Sequence, residues 1–148
     1  MRNKSQGILP QLPCACANLR RAARAATRMY NQELRPSELE LTQFTLLMTL
    51  DLTGEITQKS LGRLLALDST TLTRTLSFLV ERGWIGSNPG EDRREKLITL
   101  TPAGRRKFRQ AQPNWERAQK KLRARVGEAT WHQMGQLLTS VTIGAEQA

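Results

Sequence analysis

DSTTLTRTLSFLVERGWI (residues 68–85), continued through GSNPG (86–90) and EDRREKLITLT (91–101), is the stretch on which the fold turns. Leu72, Leu76, Leu79 and Val80 recur at i, i+4, i+7 and i+8, the spacing of one buried helical stripe. Asp68 or Ser69 can accept from the free donors of the first turn, and Gly83 offers a left-handed stop. Thr70, Thr71 and Arg74 lie away from the stripe. Residues 84–87 and 96–100 are β-prone runs on either side of Asn88, Pro89 and Gly90, which predicts a two-stranded hairpin tipped by EDRRE.

Upstream, Thr57 is placed to cap a short helix containing Leu61, Leu64 and Leu65, and only a short connection separates it from the next helix. TQFTLLMTLDL, from Thr42, is apolar nearly all round, as a helix enclosed by others would be, and Gly54 ends it. Earlier still, Leu19, Ala22, Ala23, Ala26, Met29, Tyr30 and Leu34 share helical spacing, with Arg20, Arg21, Arg24 and Arg28 between them. Downstream, Thr101-Pro102 is a strong helix start, because proline at the first helical position gives up only a donor that would be unpaired anyway. A seam of Phe108, Ala111, Trp115, Ala118, Leu122 and Val126 follows, in which Pro113 is expected to kink or interrupt the helix. After Gly127, Trp131, Met134, Leu137, Leu138 and Val141 mark a last amphipathic helix.

The predicted chain is therefore mainly α with a small β-hairpin wing: a winged helix-turn-helix DNA-binding region at 41–101, a helical dimerisation region at 14–40 and 102–148, and a flexible N-terminal tail at 1–13. The first helix and the last two would each still show an apolar stripe outside the winged core. A second copy covers such stripes most simply, so a homodimer is expected.

Composition limits the function. A chain of 148 residues is one compact domain or one small domain with appended helices. Lys and Arg outnumber Asp and Glu by 23 to 13, a net charge of +10 that points to a polyanionic partner. No apolar run approaches the roughly 18 residues of a spanning helix, and prolines break up the start of the chain where a signal peptide needs a continuous apolar core. A cytoplasmic protein that does not enter membranes is expected. An enzyme would need a nucleophile with its base, paired carboxylates, a metal cluster or a phosphate-cradling glycine loop, and none is evident, so no catalysis, cofactor or metal is expected.

In a winged helix-turn-helix the second helix of the pair enters the major groove by its N-terminal residues, here Ser69, Thr70, Thr71, Thr73 and Arg74, with Thr57 at the start of the preceding helix. Hydroxyls can reach phosphates or base edges, and Arg74 can present two donors to guanine. The bland alternative for this Ser/Thr cluster is helix capping. At the hairpin tip Asp92 and Arg94, two apart in an extended segment, would share a face, so that the acid holds the guanidinium for entry into a minor groove. Arg93 and Lys96 would add phosphate contacts. Charge alone would equally suit a basic nucleic-acid-binding protein without sequence selectivity, architectural or RNA-binding, and base-pair selectivity separates the two.

The run DSTTLTRTLSFLVERGWI, with Asp92, Arg94, Leu100 and Thr101 in a D-x-R-x5-L-T pattern followed by PAG, resembles the MarR family of bacterial transcriptional regulators over nearly the whole chain. The resemblance implies a homodimer on a palindromic operator in double-stranded DNA, with Arg94 as the wing-tip arginine, Asp92 its orienting partner, and Thr70, Thr71 and Arg74 on the recognition helix. It also implies a repressor released by a small phenolic or lipophilic effector or by oxidation of a cysteine. An effector pocket is expected where the first and fifth helices meet the winged core, with Tyr30, Met48 and Trp115 as lining residues that would serve equally well in a core.

Cys14 and Cys16 are the only thiols, so no disulfide framework can join distant segments. Cys16 lies near the place of the sensing cysteine in the peroxide-responsive branch of the family, counting back from Tyr30; Tyr30 and Phe44 occupy two comparable aromatic places and Arg20 replaces another. Against the redox reading stands burial as small apolar residues. His132, the only histidine, reads as an interface or surface residue.

Overall fold

A computed structural model describes residues 10–147; the part of the expected tail at 1–9 lies outside them. Six α-helices occur among the described residues: α1 (Ala15–Leu34), α2 (Leu41–Thr53), α3 (Gln58–Leu65), α4 (Ser69–Glu81), α5 (Pro102–Val126) and α6 (Glu128–Glu146). Strands β1 (Ile56–Thr57), β2 (Ile85–Pro89) and β3 (Lys96–Leu100) form an antiparallel sheet in the order β1-β3-β2.

Side-chain caps fix where these helices begin. Glu40 and Gln43 make a reciprocal capping box at α2, Thr57 accepts from the backbone of Ser60 at α3, Asp68 from that of Thr71 at α4, and Thr101 from that of Gly104 at α5. Each satisfies donors that the first turn leaves free. At the far end of α4, Gly83 takes φ 71°, a conformation that glycine adopts without steric cost, and the chain turns into β2.

The core is continuous through the winged region and its flanks. Leu46, Leu47, Leu50, Leu61, Leu72, Leu76, Leu79, Ile85 and Ile98 pack with Leu34 of α1, Leu39 before α2, and Phe108 and Ala111 of α5. Phe44, fully buried, lies between Phe108 and Trp115 with ring centroids 5.4 and 5.7 Å away. Residues 41–101 thus share one core with the ends of the long helices instead of closing over a core of their own.

Several expectations need correction. The wing gains a third strand, because Ile56 and Thr57 pair with Ile98 and Leu97; two residues are too few for an alternating pattern to register. Asn88 and Pro89, expected in the turn, extend β2, and the turn moves to residues 90–95. Pro89 is tolerated because β2 is an edge strand. Val80 is 45% exposed and leaves the buried stripe to Leu72, Thr75, Leu76 and Leu79. Pro113 does not interrupt α5, which runs unbroken from Pro102 to Val126. The exposed position of Pro113 lets water reach the carbonyl that its missing donor leaves free.

Candidate nucleic-acid interface

Helix α4 and the wing are joined to the rest of the molecule by a tight corner. Thr101 donates its hydroxyl to the Gly83 carbonyl at 2.6 Å and its amide to the Trp84 carbonyl at 3.1 Å. A Cβ at Gly104 would come within 1.8 Å of that same Trp84 oxygen, so only glycine permits α5 to pass this close to the start of β2. Trp84 in turn lies beneath the cations of Arg82 and Lys107, 5.8 and 5.1 Å from its ring.

From this corner α4 projects its N-terminal turns outward. Ser69, Thr70, Thr73 and Arg74 are exposed and line one shallow hollow. Thr71 is half-buried and already engaged: its amide and its hydroxyl both donate to the Asp68 carboxylate, at 2.8 and 2.7 Å. These bonds hold the Asp68 carboxyl below its ordinary pKa, the backbone bond contributing most. Capping chemistry and an exposed hydroxyl face therefore coexist on this turn, divided residue by residue.

The wing departs from the expected geometry at its tip. Residues 92–95 form a turn closed by the Glu95 amide donating to the Asp92 carbonyl at 2.9 Å, so Asp92 and Arg94 do not share the face of an extended strand. Asp92 accepts from the backbone amide of Arg94 at 3.1 Å, and no ion pair to its guanidinium occurs among the described residues. The acid fixes the turn and leaves the arginine head free. Arg93, Arg94 and Lys96 are all exposed.

An open cleft of about 840 Å³ separates α3 and the start of α4 from the wing. Thr57, Ser69, Arg94 and Lys96 line it, and so do Gln58, Lys59 and Arg63 of α3, which the sequence reading left aside. The spacing of Lys59 and Arg63, four apart after the Thr57 cap, was the available signal. Arg74 lies outside this cleft, and Thr73 and Lys96 face each other across a smaller hollow between α4 and the wing.

The residues expected to line an effector pocket lie among packed side chains. Tyr30 is buried and donates its hydroxyl to Gln119, while Met48 and Trp115 pack against the hydrophobic core. Burial also pushes the Tyr30 hydroxyl above its ordinary pKa.

The cysteines correct the burial reading, since both are exposed. Cys14 is the N-cap of α1, its Sγ accepting from the Ala17 amide at 3.5 Å. The preceding segment is tied down: the Asn18 side chain bonds both the amide and the carbonyl of Leu12, and Arg21 donates to the Pro10 carbonyl. His132 is exposed and 3.4 Å from Glu128.

The last helix, α6, buries none of its residues, and its final residue Glu146 lines the cleft beside the wing; Leu137, Leu138, Val141 and Ile143 are 46–62% exposed. No helix among the described residues is long and apolar enough to cross a membrane.

A family model described as MarR family matches residues 39–96. Over 90 residues the chain is 36% identical to an uncharacterized HTH-type transcriptional regulator, YwoH, of Bacillus subtilis, an alignment covering 61% of this chain and 66% of that protein. Over 78 residues it is 38% identical to the multiple antibiotic resistance protein MarR of Salmonella typhimurium, covering 52% and 54%. The chain thus spans about two thirds and about half of these relatives. The crystal structure of the M. tuberculosis transcriptional regulator MosR in complex with DNA superposes with a TM-score of 0.80 at 35% identity, covering 90% of this chain and 97% of that one. A MarR variant from E. coli complexed with operator DNA gives 0.75 at 25% identity, covering 85% and 91%.

Proposed function

The chain belongs to the MarR family of transcriptional regulators, and from that premise we propose that it is a repressor that binds a palindromic DNA operator as a homodimer. The observation that carries this reading is the cleft between α3, the start of α4 and the wing, where Thr57, Ser69, Arg94 and Lys96 meet on one open surface. The DNA bound in the MosR and MarR crystal structures lends the same partner to this chain. In this account α4 enters the major groove, with the exposed hydroxyls of Ser69, Thr70 and Thr73 and the guanidinium of Arg74 toward base edges and phosphates. Arg94 enters the adjacent minor groove from a turn held by Asp92, and Arg93 and Lys96 neutralise phosphates.

The helical regions 14–40 and 102–148 form the dimer, and 41–101 reads DNA. The uncovered leucines of α6 support the assignment, because a monomer in water gains nothing by exposing them. Two-fold pairing would set two copies of α4 against two half-sites. Release follows either from a small phenolic or lipophilic ligand or from oxidation of a thiol. The position of Cys14 supports the second trigger, since converting its Sγ to a sulfenic acid alters the acceptor that caps α1. If Cys16 is the sensor, Cys16→Ser abolishes peroxide-driven release; persistence of release would place the sensor elsewhere.

The test of the whole reading is selection of bound duplexes from a random pool at fixed salt. Enrichment of one two-fold-symmetric site is expected. Uniform recovery would instead favour a basic nucleic-acid-binding protein without sequence selectivity.

A further inference from the structure

The net charge of this chain does not lie where DNA is read. Residues 41–101 carry seven Lys and Arg against seven Asp and Glu, so the whole of the +10 belongs to the segments outside them. In α1 the imbalance is complete over most of the helix: from Ala15 to Gln32 there are four arginines and no acid. Arg20, Arg24 and Arg28 are exposed and follow one another at i+4, which sets them in a row about 6 Å apart along the axis. None of the three is in an ion pair among the described residues. Like charges at this spacing oppose helix formation, and an ordinary solvated face would relieve them with interspersed acids.

The row does not end at Arg28. Arg28, Arg35 and Arg82 line one hollow of about 600 Å³ between α1, the turn after it and the far end of α4. Of the two acids in that hollow, Glu40 is occupied in capping α2. A basic track thus runs from the C-terminal end of α4 along the outer face of α1. Arg24 and Arg28 lie roughly opposite Ala26 and Tyr30 on the helix, since residues two apart are turned by about 200°. The apolar face is the one turned inward, where Tyr30 bonds Gln119 of the chain's own α5, so the arginines point away from this packing. Along α4 about 20 Å separate Arg82 from the Asp68 cap, while the hollow that holds Arg82 shares Glu40, Gln43 and Phe78 with one that reaches Thr71 and Arg74, so the track starts beside α4 and leads away from it along α1.

We propose that the arginine row of α1, Arg20, Arg24 and Arg28, is a second nucleic-acid contact that holds the phosphates of a separate duplex segment without reading its bases. Charge complementarity selects the occupant: three unpaired guanidinium groups in line fit a ladder of phosphates and offer nothing that discriminates bases. A dimer with two such rows could then bring a remote stretch of DNA to the one it reads.

The test uses the full-length protein saturated with its selected duplex, to which a labelled duplex of unrelated sequence is added over a range of salt. The wild-type protein is expected to bind the second duplex. Replacing the row together, Arg20→Ala, Arg24→Ala and Arg28→Ala, should weaken that binding at least about tenfold and flatten its log-log salt slope by about three, one unit per phosphate contact. Affinity for the selected duplex should stay within about twofold, and helicity by circular dichroism should be kept. Lysine at the same three positions should restore second-duplex binding. Arg94→Ala should do the reverse of the alanine triple, weakening the selected duplex and sparing the second. The proposal is overturned if the wild type holds no second duplex, if the alanine triple holds it equally well, or if phosphatidylserine vesicles displace it.

Discussion

The winged region and the terminal helices solve opposite problems. Residues 41–101 are charge-balanced and feed a core in which Phe44, Leu46, Leu47, Leu61 and Leu79 are fully buried, so that hydrophobic burial holds the reading elements in one arrangement. The outer helices carry the excess charge, and α6 buries nothing. Buried packing is concentrated in residues 41–101, and uncovered apolar surface in the outer helices. Polar ties compensate where α1 meets α5: Glu33 accepts from Lys121 and lies near Arg117, and its carboxyl is held below the ordinary range, chiefly by the Lys121 bond.

Substitutions should separate the two regions. Phe44→Ala removes a fully buried ring from between Phe108 and Trp115 and is expected to destabilise the chain by about 3–5 kcal/mol in urea denaturation. A loss under about 1 kcal/mol would mean that the core is not continuous from α2 to α5. Leu137→Lys combined with Leu138→Lys should change the monomer's stability by no more than about 0.5 kcal/mol, as surface changes do, while sedimentation shifts from dimer to monomer. Retention of a full-strength dimer would move the interface off α6. Smallest is Asp68→Ala. The cap at α4 depends on an ionised carboxylate with a lowered pKa, so its contribution is present in full above the ordinary carboxyl range and is lost as pH falls through the lowered value. Wild type and variant should therefore differ at neutral pH and converge in acid.

The same division decides what was legible in the sequence. Helix starts were readable because caps are local: Thr57, Asp68 and Thr101 act within three residues of themselves. The stripe of α4 and the strand Lys96–Leu100 were readable by period. What failed depends on tertiary contact or on atoms beyond the repeat. The pairing of β1 comes from a partner some forty residues away. The Asp92 bond to the Arg94 amide is instead a local turn bond of the kind Asp makes two residues on, and it was missed because the segment reads as extended strand, in which Asp92 and Arg94 would share a face. Tyr30, Met48 and Trp115 carry the same apolar signature whether they line a pocket or fill a core, and which neighbours they pack against is a tertiary fact. The thiols of Cys14 and Cys16 are exposed because α1 begins beyond the core, which composition alone does not reveal. The charge excess was plain in the sequence; its position away from the reading end required assigning each residue to an element.

The central claim is that a freely held guanidinium at the wing tip works together with α4 on one duplex. Its most direct measurement is the affinity of wild type and Arg94→Ala for a selected duplex and for a scrambled one, at one salt concentration. The expected result is a loss of about 1–3 kcal/mol on the selected sequence and a smaller one on the scrambled sequence. Equal losses on both, or none on either, would contradict it.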